Sequence, residues 1–267
     1  MADLAKPPAL KAAHIGFAMG GRGTDVAREA AALVLLDDDF TSIVGAVRVG
    51  RRIYGNIAKA MSYALAVHVP IAGVSMIPVL MGGPMMLMPL HVILLELIID
   101  PACSVAFEIE PAESEVMRRP PRDPGQRLFT PLFVLRSLMQ GAGAMAAALT
   151  VYVGALQNGL DEAEIRTLTF ATLILANLAL IVTNRSLTRS IVAHWRIPNP
   201  MLAVLGPGAL ALLATVLFVP VLRDLFRMAV PHTDDLLVVA GAGLASLLWM
   251  EVVKRIAAAA QGSEAGQ

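Results

Sequence analysis

Charge and cysteine are both scarce in this chain. Of its 267 residues only 16% are charged, whereas 57% are hydrophobic. A soluble domain of this length is rarely so apolar, and long apolar stretches with few charges are typical of transmembrane helices. The single cysteine, Cys103, excludes an intrachain disulfide. The composition therefore predicts a membrane protein that is not held together by disulfides.

The chain also lacks an excess of either charge. Its 21 basic and 21 acidic residues give a formal net charge of +0. This balance offers no bulk electrostatic reason to bind nucleic acid, and we expect no such partner. The start of the chain, MADLAKPPAL, has no apolar core of the kind found in a secretory signal. Membrane insertion is therefore expected to depend on internal apolar stretches.

Six internal stretches can each supply roughly the 20 residues that a helix needs to cross a bilayer. A more polar stretch without proline precedes the first one, so a single helix could run unbroken into it. We therefore predict a mainly α-helical, polytopic membrane protein whose lipid partner is the bilayer. The six predicted spans are residues 57–81, 87–107, 129–156, 165–184, 200–221 and 236–253.

Basic residues are concentrated in alternate loops. The loop MGGPMM has no charge and QNGLDEAEIR is net acidic, while the loop after the fifth span is mixed. Because cytoplasmic loops carry the excess of Lys and Arg, we expect both termini in the cytoplasm. The basic residues assigned to that side are Arg48, Arg51, Arg52, Lys59, Arg118, Arg119, Arg122, Arg127, Arg185, Arg189, Arg196, Lys254 and Arg255.

A short strand–helix–strand pattern precedes the spans. The glycine-bounded run AHIGFAMG (13–20) and the run LVLLDDDF (33–40) are predicted strands. Between them, TDVAREAAA (24–32) is a predicted helix with Thr24 or Asp25 as its N-cap. This pattern is typical of the end of an α/β domain. The glycines of the GGRG run could bind a phosphate, but a tight turn before the helix is the favoured interpretation.

Two carboxylates stand inside the second predicted span. Glu96 and Asp100 are four residues apart, so they share one helical face. A charged residue in a membrane helix costs at least roughly 2.5–3.5 kcal/mol, so we expect both to face the bundle interior and meet a cation or a proton. Pro101 cannot donate to the carbonyl of Leu97, which frees that oxygen to bind an ion. The alternative is a proline kink with the acids paired to an arginine.

Three further side chains are candidate ligands with a second interpretation each. His68 lies deep in the first span, where Pro70 frees the carbonyl of Ala66. This histidine is either a hydrogen-bonding core residue or a ligand that suits proton-coupled chemistry. Asn177 is either a neutral ligand or an interhelical hydrogen-bonding group. Cys103 could bind a soft metal, but a small buried hydrophobe is the favoured interpretation.

Ordered motifs give this chain a resemblance to a known family. The run PALKAAHIGFAMGGRGTDVAREAAALVLLDDDFTSIVGAVRVGRRIYGN resembles the end of the phosphorylation domain and the stalk helix of P-type cation-transporting ATPases, and MRRPPRDPGQRLF resembles the loop after their sixth membrane helix. The six spans would then be family helices five to ten, as in the calcium, sodium/potassium and proton pumps. The implied organisation is a HAD-like α/β remnant (1–40), the stalk helix (41–56), the ion-site helix pair (57–107), a cytoplasmic loop (108–128), a four-helix membrane domain (129–256) and a cytoplasmic tail (257–267).

The resemblance also implies a cation site. By position, Asp100 matches the sixth-helix aspartate of the family, whereas Glu96 replaces an asparagine typical of calcium pumps. Ile99 and Ile71 stand where those pumps have a threonine and a glutamate, so the transported ion, a divalent metal or a proton, is left open. The implied metal-binding residues are Glu96, Asp100, His68 and Asn177, to which the prolines Pro101 and Pro70 add the freed carbonyls of Leu97 and Ala66.

The chain departs from the family at its start. Where the family motif GDG-x-ND-x-PAL has two aspartates that serve Mg²⁺, this chain has Ala2 and Lys6. The DKTG motif, the nucleotide and actuator domains and helices one to four do not occur in it either. We therefore expect no catalytic residue here, and expect Mg²⁺ and ATP to act only in an intact pump.

The resulting hypothesis is a C-terminal portion of an ATP-driven cation pump in a cell membrane, inferred to be the bacterial plasma membrane. This portion would not be active alone, and the remaining N-terminal part of the pump is a candidate partner. The alternative is a non-catalytic six-helix membrane protein derived from a pump.

Overall fold

The computed structural model describes residues 8–113, 115–118, 120–121, 125, 128–187, 189–194 and 197–264. The described chain is mainly helical, with a small two-stranded sheet near its start, as predicted. It forms two compact units. The first comprises the described residues of 1–54 and 112–121, and the second those of 55–111 and 122–267.

The sheet lies in the first unit. Strands β1 (Phe17–Met19) and β2 (Leu33–Leu35) pair in parallel, with Phe17 opposite Leu33. Helix α2 (Asp25–Ala30) connects them, and a short helix α1 (Pro8–Ala12) precedes them. The hydroxyl of Thr24 accepts from the backbone N–H of Ala27 at 3.2 Å, which makes Thr24 the N-cap of α2. The predicted strand–helix–strand pattern is thereby confirmed.

The GGRG run forms a turn closed by an internal carboxylate. The backbone N–H groups of Gly21 and Arg22 donate to the two Asp38 oxygens at 2.9 and 3.0 Å. The Arg22 guanidinium also donates to the Asp38 carbonyl at 2.8 Å. Asp38 itself has a positive φ of 56°, a conformation that a short polar side chain tolerates. The amides that a phosphate would need are therefore already bonded, as the tight-turn interpretation requires.

Two exposed aspartates lie at the start of helix α3 (Thr41–Leu80). Asp39 accepts from the Thr41 backbone N–H at 2.8 Å and from the Thr41 hydroxyl at 2.7 Å. Asp37 accepts from the Ser42 hydroxyl and from the Asp39 N–H. Hydrogen bonds to the ionised form favour it, so the bonds from Thr41 lower the pKa of Asp39, and the bond from Ser42 lowers the pKa of Asp37.

Six helices are long and apolar enough to cross a membrane, which confirms the six predicted spans. The first is α3, which is unbroken from Thr41 to Leu80 despite two prolines. The others are α4 (Pro89–Pro101) with a following π-helical segment (Ala102–Ala106), α5 (Pro131–Gln157), α6 (Glu162–Asn184), α8 (Pro200–Phe218) and α10 (Thr233–Glu264). Short helices α7 (Ile191–His194) and α9 (Pro220–Leu225) lie between them.

The helix starts follow from local capping chemistry. Thr130 caps α5, and the next residue is a proline, whose fixed φ suits the first helical position. Asp161 and Glu164 form a reciprocal capping box at the start of α6. The Asn199 side chain accepts from two backbone N–H groups at the start of α8, at 3.1 and 3.2 Å.

Helix α6 is the centre of the second unit. It packs against α5 on one side and α10 on another, and most of its side chains are buried. Phe170, Leu173 and Leu180 are among its fully buried side chains. Helix α8, in contrast, buries only four of its side chains, those of Ala209, Leu213, Val216 and Leu217. The fold thus surrounds one almost fully buried helix with helices whose outer faces are apolar, as expected of a bundle in lipid.

Candidate cation site

Helix α4 carries the two predicted acids. Its start is set by Met88 as N-cap and Pro89 at the first helical position, and an apolar run carries the helix on to Pro101. We expected both carboxylates to face the bundle interior. Glu96 is half-buried, whereas Asp100 is exposed. Within the described residues neither carboxylate pairs with an arginine, so the kinked-helix alternative finds no support there.

The backbone changes character directly after Asp100. The α-helix ends at Pro101, and the next turn is π-helical, closed by the Phe107 N–H donating to the Ala102 carbonyl at 3.2 Å. The Ser104 hydroxyl donates to the Asp100 carbonyl at 2.6 Å. Pro101 has no N–H for the Leu97 carbonyl, as the sequence predicts. Such π-helical turns interrupt a regular helix and often occur at functional sites.

On α3, His68 and Ala66 differ in their surroundings. The His68 side chain is exposed, and its Nδ1 lies 2.7 Å from the Ala64 carbonyl of the same helix. Ala66 is fully buried, and a Cβ on Gly141 of α5 would lie only 2.3 Å from its carbonyl oxygen. The Ala66 carbonyl, which Pro70 leaves without its helical donor, is therefore packed against α5, whereas the His68 side chain is exposed.

Asn177 on α6 makes an interhelical hydrogen bond. Its side chain is 2% exposed, and its Oδ1 accepts from the hydroxyl of Tyr63 on α3 at 2.6 Å. The Tyr63 ring in turn contacts Phe107, with ring centroids 5.4 Å apart. An amide oxygen has two lone pairs, so one remains for a cation. Sequence reasoning missed Tyr63, although a phenol inside an apolar span is itself a signal that a polar partner is near.

The predicted ligands are thus distributed over three helices. Among the described residues, no group of three or more His, Cys, Asp or Glu side chains is arranged to hold a metal ion. Cys103 is partly buried and packs against the apolar core. The ligand set therefore stays a prediction. Outside the described residues lie Ala2, Lys6 and four arginines of the charge pattern, which are Arg119, Arg122, Arg127 and Arg196.

Sequence reasoning also missed a third acid close to α4. Glu110 is 0% exposed and forms a two-point ion pair with Arg185, at 3.1 Å to Nε and 3.0 Å to Nη2. A glutamate directly before Pro111 has the appearance of a loop residue in the sequence. Only its packing shows that it is buried.

A family comparison agrees with these features. A profile described as "Cation transporting ATPase, C-terminus" matches residues 84–256. The chain belongs to this family. The match covers α4, α5, α6, α8 and most of α10, and it confirms the resemblance to the C-terminal part of P-type cation-transporting ATPases.

Individual relatives of this ATPase C-terminal region give the same result. A "Calcium-transporting ATPase" of Bacillus subtilis is 34% identical over 248 residues, which is 90% of this chain and 27% of the relative. "Calcium-transporting ATPase 1" of Yarrowia lipolytica is 31% identical over 231 residues, covering 86% of this chain and 25% of the relative. "Probable cation-transporting ATPase F" of Mycobacterium tuberculosis is 34% identical over 190 residues, covering 71% and 21%. The chain spans about a quarter of the length of these relatives.

Family membership and the six helices together make this a multi-pass membrane protein. Among the residues that the structure describes, the two acids of α4 have no partner. An exposed carboxylate on an apolar membrane helix is unfavourable unless a partner or an ion meets it.

Proposed function

We propose that this chain is the C-terminal membrane portion of an ATP-driven P-type cation pump and supplies part of its transmembrane cation site. One observation carries the proposal. Glu96 is half-buried and Asp100 exposed on an apolar helix of a cation-transporting family, and neither carboxylate has a partner among the described residues. Intramembrane acids without a structural partner are expected to serve ions or protons.

In this proposal the two carboxylates bind the cation in their deprotonated form. Oxygen atoms of acids and of free backbone carbonyls are the ligands that hard cations prefer, and the Leu97 carbonyl is adjacent. Since Asp100 is exposed in this chain, helices of the remaining pump would cover it and complete the coordination. When the cation leaves, the same carboxylates can take up protons, which makes proton counter-transport a consistent companion reaction.

Mg²⁺ and ATP are assigned to the intact pump and not to residues of this chain. The family positions for the Mg²⁺-binding aspartates hold Ala2 and Lys6, and neither side chain has an oxygen that could bind the metal. The residues present therefore do not fit the ion. Energy would have to come from the N-terminal part of a pump, which is the proposed partner. The proposed location is a bacterial plasma membrane with both termini in the cytoplasm.

The cation is proposed only as a class. Two relatives are named calcium-transporting. Glu96 and Asp100 are hard oxygen donors, which suit Ca²⁺, Mg²⁺ or Mn²⁺ more than soft metals. His68, Asn177 and the Ala66 carbonyl are proposed as secondary contributors. Of these, the Ala66 oxygen would need to move away from Gly141 to take part.

The test uses the chain co-expressed with the N-terminal part of the Bacillus subtilis relative, and measures ATP-dependent uptake of Ca²⁺, Mg²⁺ or Mn²⁺ into inverted membrane vesicles. We expect Asp100→Asn to abolish uptake, because it removes a charge that holds the cation. Asp234→Asn, which neutralises an exposed aspartate at the start of α10, is the matched control and should retain uptake. Undiminished uptake by the Asp100 variant would contradict the site assignment. Absence of uptake by every version would favour the non-catalytic alternative.

A further inference from the structure

We propose that Glu110, Arg185 and Asn199 form a latch that fixes the C-terminal end of residues 89–110, here called the α4 segment, and thereby sets the position of Glu96 and Asp100. The three residues are positioning residues, because they contact backbone and each other and not the proposed cation. The effect on transport rests on the proposed function, whereas the latch itself can be tested in this chain alone.

The ion pair at the centre of the latch is almost completely removed from solvent. Glu110 is 0% exposed and Arg185 is 6% exposed. The guanidinium meets the carboxylate with two nitrogen atoms, Nε at 3.1 Å and Nη2 at 3.0 Å. Nη2 also donates to the Ile197 carbonyl at 2.7 Å. Two-point pairing of this kind fixes orientation as well as distance.

Two asparagines join further elements to this pair. The Asn199 side-chain amide donates to Glu110 Oε2 at 2.6 Å and to the Ala106 carbonyl at 2.9 Å, while its oxygen caps α8. The Asn56 amide on α3 donates to the backbone carbonyls of Glu108 and Glu110, at 3.1 and 2.8 Å. The segment after the π-helical turn is therefore held by α3, by the end of α6 and by the start of α8.

The backbone between Asp100 and Glu110 departs from regular α-helical geometry. Pro101 removes one hydrogen bond, and residues 102–106 adopt a π-helical turn, which is a rare and less stable geometry. A regular helix would transmit the orientation of its two ends to each other more rigidly than this segment does. Fixing its far end at Glu110 therefore adds to the core packing of α4 in setting the position of its near end, with Asp100.

The native Cys103 makes this testable, because it is the only cysteine of the chain and lies inside the π-helical turn. It is partly buried against the apolar core, so its thiol reacts with a maleimide faster when the turn opens. The experiment measures the rate of Cys103 modification in detergent-solubilised full chain, well below the unfolding temperature.

We expect Glu110→Gln and Arg185→Gln each to raise the modification rate by at least about tenfold, because each breaks the buried two-point ion pair and loosens the segment. The matched control is Glu251→Gln, which breaks another ion pair of the bundle, to Lys254 at 2.9 Å, on α10. That variant should leave the Cys103 rate within about twofold of wild type, since its pair does not contact the α4 segment.

A rise in the latch variants no larger than in the Glu251 variant would overturn the proposal. If Glu110→Gln does not fold, Glu110→Asp replaces it. This variant keeps the charge, shortens the side chain by one methylene and is expected to raise the rate in the same direction. An unchanged rate in a folded Glu110→Asp chain would also count against the latch.

A second measurement separates the latch from the cation site. In vesicles containing the assembled pump, Glu110→Asp should raise the cation concentration for half-maximal uptake by about tenfold, with a smaller change in the maximal rate, because it displaces ligands without removing them. A loss of maximal rate alone, at unchanged half-maximal concentration, would argue against positioning. If no assembled pump transports at all, the proposed function fails, and the Cys103 result still decides the latch.

Discussion

Two regions of one helical segment place their acidic side chains in opposite environments. At its far end, Glu110 is fully buried and bonded to Arg185 and Asn199. Ten residues earlier, Asp100 is exposed, and Glu96, four residues before it, is half-buried; neither carboxylate has a partner among the described residues. All three are carboxylates in or beside the same apolar span.

This difference in burial and bonding separates Glu110, which is bonded within the fold, from Glu96 and Asp100, whose carboxylates have no partner among the described residues. A buried charge is tolerated only when its hydrogen bonds and countercharge are complete, which is the condition Glu110 meets. Within the described part of the chain, Glu96 and Asp100 have no such partners, so we expect them to contribute little to its fold. The predictions below test this contrast, beginning with the largest expected effect.

Breaking the satisfied pair should be strongly destabilising. Arg185→Met removes the guanidinium that meets the buried Glu110 carboxylate at two points, and we expect the free energy of unfolding to fall by about 3–5 kcal/mol. The double variant Glu110→Leu with Arg185→Met should recover much of that loss, because apolar side chains then replace the buried ion pair. Equilibrium unfolding in detergent micelles measures both. A loss below about 1 kcal/mol in the single variant would place Glu110 in the same class as Asp100.

The packing of the Ala66 carbonyl against α5 can be tested by the same measurement of equilibrium unfolding. In Gly141→Ala the new Cβ would lie 2.3 Å from the Ala66 oxygen and 2.8 Å from the Cβ of Val69. Since backbone cannot easily yield, we expect a loss of about 1–3 kcal/mol in the unfolding free energy. Gly154→Ala, with no atom within 4 Å of its Cβ, is the control in the same helix. Equal stability of the two variants would show that the Ala66 carbonyl is free to turn.

The exposed acids of the first unit should respond to pH only locally. Hydrogen bonds from Ser42 and Thr41 hold the pKa values of Asp37 and Asp39 below their usual range in the folded chain, so these bonds add stability above that range and lose it as pH falls through the lowered values. Below about pH 4 we expect faster hydrogen exchange at the start of α3, corrected for the intrinsic pH dependence of exchange. Asp39→Ala should exchange fast at every pH. A pH-independent rate in the wild-type chain would contradict this.

Neutralising Asp100 should leave the free energy of unfolding almost unchanged. We expect Asp100→Asn to alter the unfolding free energy of the chain by no more than about 0.5 kcal/mol, because the carboxylate has no partner to lose within the described residues. The same unfolding assay measures this, with Arg185→Met as the comparison. A loss of several kcal/mol would mean that Asp100 is structural, and the contrast between the two regions would fail.

The predictable features were those carried by local chemistry. Apolar length alone predicted the six spans, and a capping residue between two apolar runs predicted the strand–helix–strand pattern near the start of the chain. The four-residue spacing of Glu96 and Asp100 also predicted that the two acids share one face of α4. The Glu110–Arg185 pair was not, because its partners are 75 residues apart and each looks like a loop charge. Tyr63 and Asn177, 114 residues apart, were missed as a pair for the same reason.

The sequence by itself determined the class of the protein, the number of its spans and the presence of two acids on one face of an apolar helix. These depend on composition and on spacings of a few residues, which the helical geometry converts directly into structure. Only the tertiary structure decided which acid is buried and paired and which is exposed. Burial depends on neighbours from helices far along the chain, and no local sequence pattern shows which of those helices will pack beside a given carboxylate.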